Sequence, residues 1–154
     1  MINLTSHDDI QFKFVCHFNI YSIFLYGETM NYIDDLFYTK EHVWIKSYKD
    51  NQYSLGITNF AQDLLGDIVY IDLTLGKKFN SNDPIGTIES VKTATDIIAP
   101  ADGEIILINQ DTIKNPEKIN ESPHENWLCR ISLNLEINKE NYLSKQEYLT
   151  LIKD

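Results

Sequence analysis

The sequence predicts a mainly β fold, a sandwich or barrel of short strands with few helices. From residue 30 onward, short runs of β-forming residues recur along the chain, and clusters of turn-forming residues separate them at nearly regular spacing. Helical signals are confined to a few short segments. The length of 154 residues and the hydrophobic content of 43% are ordinary for one folded domain.

Seven stretches are predicted to be strands. In chain order they are residues 43–48, 53–57, 68–73, 85–91, 96–99, 104–109 and 127–133. The stretch 68–73 is the richest in β-forming residues. Two clusters, at 80–84 and 100–103, predict turns, because proline presets φ while Asn and Asp tolerate left-handed backbone.

Two short helices are predicted inside the β region. Thr58 is placed to cap a helix that runs through Leu65, with Gly66 just past its end. Asn115 followed by Pro116 is typical of a helix start, with Asn as the N-cap and Pro at the first helical position.

The strongest helix signal is C-terminal. Ser144 and Glu147 have the spacing of a capping box, which satisfies two backbone donors at a helix start. Tyr148, Leu151 and Ile152 follow at helical spacing and predict one apolar stripe, with which the helix docks on the sheets.

Residues 1–29 differ from the rest of the chain. They hold four of the seven phenylalanines, and their longest apolar run, residues 14–26, is interrupted by His17 and Asn19. That run is shorter than the ~18–20 residues of a membrane span, and it has neither the basic leader of a secretory signal nor the arginines of a transit peptide. We expect residues 1–29 to be a dispensable extension or a mis-assigned start, and residues 30–154 to be the functional domain.

The charge balance excludes two classes of partner. The chain has 23 acidic and 13 basic residues, a formal net charge of −10, and one arginine, Arg130. Nucleic acids and anionic membranes both need clustered Lys and Arg, so neither is expected as a partner.

No motif in the chain predicts catalysis or a metal site. The sequence has no phosphate-binding glycine loop and no nucleophile elbow. Cys16 and Cys129 lie too far apart in sequence for a usual metal motif, and the four histidines are scattered. The residues alone therefore predict a small β-rich binding or carrier module and not an enzyme.

Residues 86–103 hold two β-forming runs around a short polar centre with a single lysine, Lys92. In a hairpin this centre becomes the tip, so we expect Lys92 to project into water beside the small residues Ser90, Thr93 and Ala94. An exposed tip is where a modifying enzyme reaches a side chain without unfolding the protein. A single lysine is otherwise an ordinary surface residue.

This segment resembles the lipoyl-lysine segment of the glycine cleavage system H protein family. The similarity rests on Glu89, Ser90, Val91 and Lys92, followed by Asp96. Further segments resemble the family in the same order, and they are residues 38–44, 56–70 and 116–120, then Pro123, residues 127–128 and the closing helix. The match covers residues 32–152 in one collinear sequence.

The resemblance implies a barrel-sandwich hybrid of two small antiparallel sheets, with short helices and a C-terminal helix. It also implies that Lys92 carries lipoic acid in amide linkage, and that Glu89, Ser90, Val91 and Asp96 take part in recognition of the attachment motif. Lysine suits this chemistry because its primary amine is a far better acyl acceptor than a guanidinium.

Family membership further implies the partners. The lipoyl arm receives an aminomethyl group of glycine from a PLP-dependent glycine decarboxylase, and an aminomethyltransferase passes the carbon to tetrahydrofolate. Dihydrolipoamide dehydrogenase then reoxidises the dithiol, while a lipoyl ligase or a lipoyl or octanoyl transferase supplies the arm. The H protein is a monomeric carrier that catalyses nothing itself, and an acidic surface suits reversible docking on basic partners.

One position departs from the family pattern. The family usually has Glu between the His and Trp of its opening segment, where this chain has Val43. In the family that acid lines the cleft that shelters the amine of the loaded arm, and Asp96 matches a further cleft residue. Either the loaded state is more labile in this chain or held mainly through Asp96, or a neighbouring acid such as Glu41 compensates.

Four other functions are alternatives to the H-protein role, and one of them is an unmodified β-rich interaction module. A lipoyl domain of a 2-oxo acid dehydrogenase usually has Asp before its lysine, and a biotin carrier usually has Met on both sides, whereas Val91 and Thr93 flank Lys92. A lipoate relay, in which the chain donates its lipoyl group to other lipoyl domains, is also compatible with the resemblance. Val43, which stands where the family usually has Glu, favours this alternative. An H protein resides in the bacterial cytoplasm or in mitochondria, and the absence of a transit-like signal favours the former.

Overall fold

The computed structural model describes residues 35–154, so the prediction for residues 1–29 lies outside the described part of the chain. Two antiparallel sheets form the framework of the described residues. The larger sheet has the strand order β1-β2-β3-β9-β8-β5, and the smaller has the order β4-β6-β7. This arrangement is a barrel-sandwich fold, and the predicted fold class is confirmed.

The strands are short and mostly coincide with the predicted ones. They are β1 (Phe37–Tyr38), β2 (Val43–Lys49), β3 (Gln52–Ile57), β4 (Ile68–Leu73), β5 (Lys78–Phe79), β6 (Pro84–Ser90), β7 (Ala94–Ile98), β8 (Gly103–Ile108) and β9 (Cys129–Leu133). The two-residue strands β1 and β5 were not predicted, because two residues are too few for an alternating pattern to register.

The helices connect the strands. They are α1 (Asn59–Leu65), α2 (Gln110–Lys114), α3 (Glu117–Glu121) and α4 (Lys145–Leu151), with one 3₁₀ turn at Lys139–Asn141. Helix α1 confirms its prediction in detail. The Thr58 hydroxyl accepts a hydrogen bond from the backbone of Ala61, and Gly66 ends the helix at φ +79°.

A helix begins close to the predicted start, at Glu117, but the prediction of Asn115 as its cap was wrong. Pro116, with helical backbone angles, precedes α3 without a side-chain cap, and Asn115 instead ends the preceding helix α2. Its amide nitrogen donates to the carbonyl oxygen of Asp111 at 3.0 Å. Helix α2 was missed because its five residues are too few to set up a helical period.

The core lies between the two sheets. Branched aliphatic side chains from both sheets meet there, and each is at most 2% exposed. The larger sheet contributes Ile45, Leu55, Ile105 and Ile131, and the smaller contributes Ile71, Ile88 and Ile97. Burial of each side chain of this size stabilises the fold by about 1.5–3 kcal/mol. The two sheets therefore form a stable support for their hairpins.

Helix α4 packs through one aromatic ring. The predicted capping box is present, because Ser144 accepts from the backbone of Glu147 while the Glu147 carboxylate accepts from the backbone of Ser144. Tyr148 is fully buried and its ring stacks on that of Tyr38 at 4.8 Å. The predicted stripe is wrong beyond this residue, since Leu151 is 37% exposed and the helix ends there.

Candidate functional site

Lys92 lies at the tip of the hairpin formed by β6 and β7, as the sequence predicts. Its side chain is exposed, as are those of Val91 and Thr93 on either side. The strands pair as far as Glu89 with Ala94, which leaves a tight turn over residues 90–93. The boundary differs slightly from the prediction, because Val91 belongs to this turn and not to the strand.

Ser90 organises the turn. Its backbone N–H donates to the carbonyl oxygen of Thr93 at 2.8 Å. Its hydroxyl oxygen accepts from the backbone N–H groups of Lys92, at 3.4 Å, and Thr93, at 3.2 Å. A serine can satisfy turn donors in this way because its side chain is short and polar. The predicted motif residue Ser90 therefore holds the backbone that presents Lys92.

The tip is also anchored to the turn that follows α1. The backbone N–H of Val91 donates to the carbonyl oxygen of Asp67 at 3.0 Å. The stem of Lys92 lies over Gly66, where an added Cβ would stand 3.1 Å from the lysine Cε. Glycine at this position gives both the positive φ and the space for the lysine stem. Sequence reasoning treated Gly66 only as a helix end, and nothing local to it indicated contact with Lys92.

A cavity of about 120 Å³ opens beside the hairpin. Its walls are mainly aliphatic, with polar and charged groups from two separate segments. The aliphatic residues are Val43, Ile57, Ala61, Leu64, Leu65, Ile88 and Ile97, and the others are Glu41, His42, Thr95 and Asp96. The small volume and apolar walls suit a compact apolar group that carries one polar end.

The three residues discussed for the family cleft meet in this cavity. Val43 is 2% exposed and forms part of the wall, while Glu41 and Asp96 are exposed residues that line the same space. Asp96 also accepts a hydrogen bond from the hydroxyl of Thr87 at 3.4 Å. Two carboxylates therefore remain available to a cation in the cavity despite the valine.

His42 connects the cavity to the C-terminal helix. Its Nδ1 lies 2.8 Å from the Tyr148 hydroxyl, which lies 2.8 Å from the Thr58 hydroxyl in turn. Burial lowers the pKa of His42, although nearby Glu41 opposes the shift. His42 adopts φ +63°, an uncommon conformation for a non-glycine residue, so the hydrogen-bonded chain fixes a constrained turn.

Glu89 and Asp96 both belong to the smaller sheet and are exposed. Glu89 stands between Tyr70 of β4 and Ala94 of β7. The predicted motif residues thus lie in the turn that holds Lys92 or on the strands next to it.

A larger cavity of about 560 Å³ lies elsewhere on the domain. Its lining comes from four segments, within residues 38–41, 81–82, 99–102 and 134–143, and includes none of the predicted attachment residues. Glu41 lines both cavities. Within residues 35–154, no group of three or more His, Cys, Asp or Glu side chains is placed to hold a metal ion. Among the same residues, no helix is long and apolar enough to cross a membrane.

The two-sheet fold with an exposed lysine on a tight hairpin is typical of small carrier domains. Residues 36–154 match the family model for the glycine cleavage H-protein. The chain belongs to the glycine cleavage H-protein family, the lipoyl carriers of the glycine cleavage system, and the predicted family and function are confirmed.

Relatives of known name agree with this assignment. The glycine cleavage system H protein of Oceanobacillus iheyensis is 42% identical over 127 residues, which cover 81% of this chain and all of that protein. Glycine cleavage system H protein 1 of Caldanaerobacter subterraneus is 40% identical over 120 residues, covering 77% of this chain and 95% of the relative.

A solved structure has the same fold. The crystal structure of a glycine cleavage system H protein from Mycobacterium marinum superposes with a TM-score of 0.71 at 28% sequence identity. The superposition covers 80% of this chain and 100% of the other.

Proposed function

We propose that Lys92 is the lipoyl attachment site through which this chain carries the aminomethyl group of glycine. The observation that carries the proposal is the position of Lys92, exposed at a hydrogen-bonded hairpin tip that leaves its amine accessible. An acyl ligase or transferase has access to such an amine without disturbing the fold. The cofactor is lipoic acid, joined to Nζ as an amide, and it supplies a dithiolane that accepts and releases the aminomethyl group.

The partners follow from this role. A PLP-dependent glycine decarboxylase loads the arm, an aminomethyltransferase unloads it, and dihydrolipoamide dehydrogenase restores the disulfide form. The chain itself acts as a carrier and cosubstrate, not as an enzyme. A tether raises the concentration of its end at a docked active site to the ~mM range, so one arm serves several active sites.

The 120 Å³ cavity is the proposed resting place of the loaded end of the arm. Its aliphatic wall suits the hydrocarbon and sulfur parts, and Glu41 and Asp96 are carboxylates that pair with an ammonium group. Pairing there lowers the exposure of the adduct to water, which slows its loss. Val43 contributes shape to the wall and no charge.

A lipoate relay remains the second candidate function. The specific observation that favours it is Val43, an uncharged residue in the wall of the cavity. A carrier that transfers its lipoyl group to other domains does not need to protect an aminomethyl adduct. We place the protein in the bacterial cytoplasm, in keeping with its bacterial relatives, and we assign the carrier function to residues 30–154, within which the family match lies.

Lipoylation of Lys92 is tested by intact mass. The full chain is coexpressed with a lipoyl ligase, and we expect a mass increase of one lipoyl group per chain. The matched control, Lys92→Arg, keeps the positive charge but removes the acyl acceptor, and we expect it to gain no mass. An equal mass increase in the control would contradict the assignment.

Reconstitution then distinguishes the two functions. The lipoylated chain is incubated with glycine decarboxylase and glycine, and release of CO₂ is measured. Nothing in this mixture unloads the arm, so at most one CO₂ is released per lipoylated chain. Such release supports the glycine cleavage role, whereas lipoylation without CO₂ release supports the relay.

A further inference from the structure

The strand β4 contains a bulge close to the hairpin tip. Ile68 pairs with Ser90 and Tyr70 with Glu89, so Val69 is an extra residue on its strand. Normal alternation would turn one of two successive side chains inward, but Val69 and Tyr70 are both 52% exposed. The bulge therefore places two large apolar side chains in water on neighbouring positions.

A third exposed apolar residue adjoins the bulge. Val91 is 70% exposed, and its backbone is hydrogen-bonded to Asp67, the residue just before β4. We name Val69, Tyr70 and Val91 the bulge patch. The patch is continuous with the turn that carries Lys92, because Val91 directly precedes that lysine.

The bulge patch is bordered by acidic side chains. Asp67, Asp72 and Glu89 are exposed and lie on or next to the same strands. The only ion pair among residues 35–154 joins Lys118 to Asp111, so none of these three carboxylates has an ion-pair partner in the described part of the chain. No Lys or Arg occurs between Lys49 and Lys77. A complementary surface is apolar at its centre and basic at its rim.

We propose that the bulge patch is the docking surface for the enzyme that acylates Lys92. This inference rests on the proposed function of that lysine. The amide bond forms at Nζ, and the stem of Lys92 lies against Gly66, so the acylating active site has to approach the residues beside the turn. Enzymes that act on the far end of a lipoyl arm are free to dock an arm's length away.

The acylation step forms an amide bond at Lys92 Nζ. Lipoate is first activated by ATP: a carboxylate oxygen attacks the α-phosphorus, the bond to pyrophosphate breaks, and the products are lipoyl-AMP and pyrophosphate. The lone pair of the neutral Lys92 amine attacks the carbonyl carbon, and a C–N bond forms while the C–O bond to AMP breaks. AMP leaves with that electron pair, and the amine gives up a proton to solvent. Docking on the bulge patch holds the hairpin so that Nζ meets this carbonyl carbon.

The test measures acylation of the full, unmodified chain by purified lipoyl ligase with ATP and lipoate, followed by intact mass. We expect the double variant V69S/Y70S to lower kcat/KM by about tenfold, mainly through KM, because removal of central apolar contacts weakens docking. The matched control is L75S/L135S, whose two leucines are exposed apolar residues away from the hairpin tip. It should react like the wild type.

The contribution of the acidic side chains around the bulge patch is tested separately. We expect D67N/D72N to lower kcat/KM and to flatten its dependence on salt concentration, because fewer charges then attract a basic rim. The control E125Q/E136Q removes two exposed acids outside the smaller sheet and should leave both quantities unchanged. All variants change exposed side chains, and thermal unfolding checks that each is folded.

The outcomes separate the two proposals. A wild-type chain that gains no acyl mass refutes the assignment of Lys92 and this inference with it. A wild type that is acylated at the same rate as V69S/Y70S refutes this inference alone. Normal acylation of that variant with slowed loading by glycine decarboxylase also overturns it, since the patch would then serve a different partner.

Discussion

The position of Lys92 depends on one residue of the predicted motif, Ser90, and on one residue outside it, Gly66. Ser90 closes the turn through its hydroxyl, and Gly66 leaves room for the lysine stem where a Cβ would lie 3.1 Å from it. The position of the Lys92 side chain is thus set by hydrogen bonds within the turn and by the lack of a side chain at Gly66.

The uncharged side chain of Val43 in the cavity wall leads to a testable prediction. Val43→Glu adds a third carboxylate beside Glu41 and Asp96, and we expect formaldehyde to be lost about threefold more slowly from the loaded chain, the effect of a modest ion pair. Val43→Gln is the control, because it matches the shape of glutamate without its charge. Equal rates in the wild type and Val43→Glu would contradict the prediction.

Helix α4 stabilises the site from a distance. Tyr148 stacks on Tyr38 of β1 and reaches His42 and Thr58 through its hydroxyl. The start of α4 and the wall of the cavity are thus joined by one buried side chain. A change that frays the helix should loosen the turn that holds His42.

The capping box allows this to be measured. Ser144→Ala removes the hydroxyl that accepts from the Glu147 backbone, and we expect the free energy of unfolding to fall by about 1 kcal/mol. Urea unfolding compares the variant with Ser47→Ala, an exposed strand serine that makes no cap. A smaller loss for Ser144→Ala than for Ser47→Ala would refute the role of the cap.

At the scale of the whole molecule, His124 links folding to pH. It is 7% exposed, lies parallel to the ring of Trp44, and its Nδ1 is 2.6 Å from the amide oxygen of Asn59. Burial lowers the pKa of His124 from 6.5 to about 4. Because the folded state binds this proton less tightly than the unfolded state does, the neutral histidine supports folding above pH 6.5.

That support is lost as the pH falls from 6.5 towards 4. Each pH unit in this window lowers the free energy of unfolding by about 1.4 kcal/mol, so the total loss approaches about 3 kcal/mol. Urea unfolding of the wild type and His124→Gln across this range measures the effect. We expect the stability of the wild type to fall more steeply, and parallel pH profiles for the two proteins would contradict the assignment to His124.

Much of the fold was accessible from the sequence because it depends on local patterns. The strands of five or more residues, the cap at Thr58 and the box at Ser144 follow from side-chain alternation and hydrogen bonding within a few residues. Asn115 was not the predicted N-cap because its side-chain amide donates to the carbonyl oxygen of Asp111 instead. The same local sequence permits either hydrogen bond. The prediction that Leu151 and Ile152 continue the apolar face of Tyr148 was wrong because the helix ends at Leu151.

The sequence by itself determined the family, the mainly β class and the lysine at the hairpin tip, since these depend on order and spacing along the chain. Only the tertiary structure placed Gly66 beneath Lys92, Glu41 and Asp96 in one cavity, and the bulge of β4 beside the turn that holds Lys92. These groups are distant in sequence, and their meeting depends on sheet register and on the packing of the two sheets against each other. Neither of these leaves a local pattern in the chain.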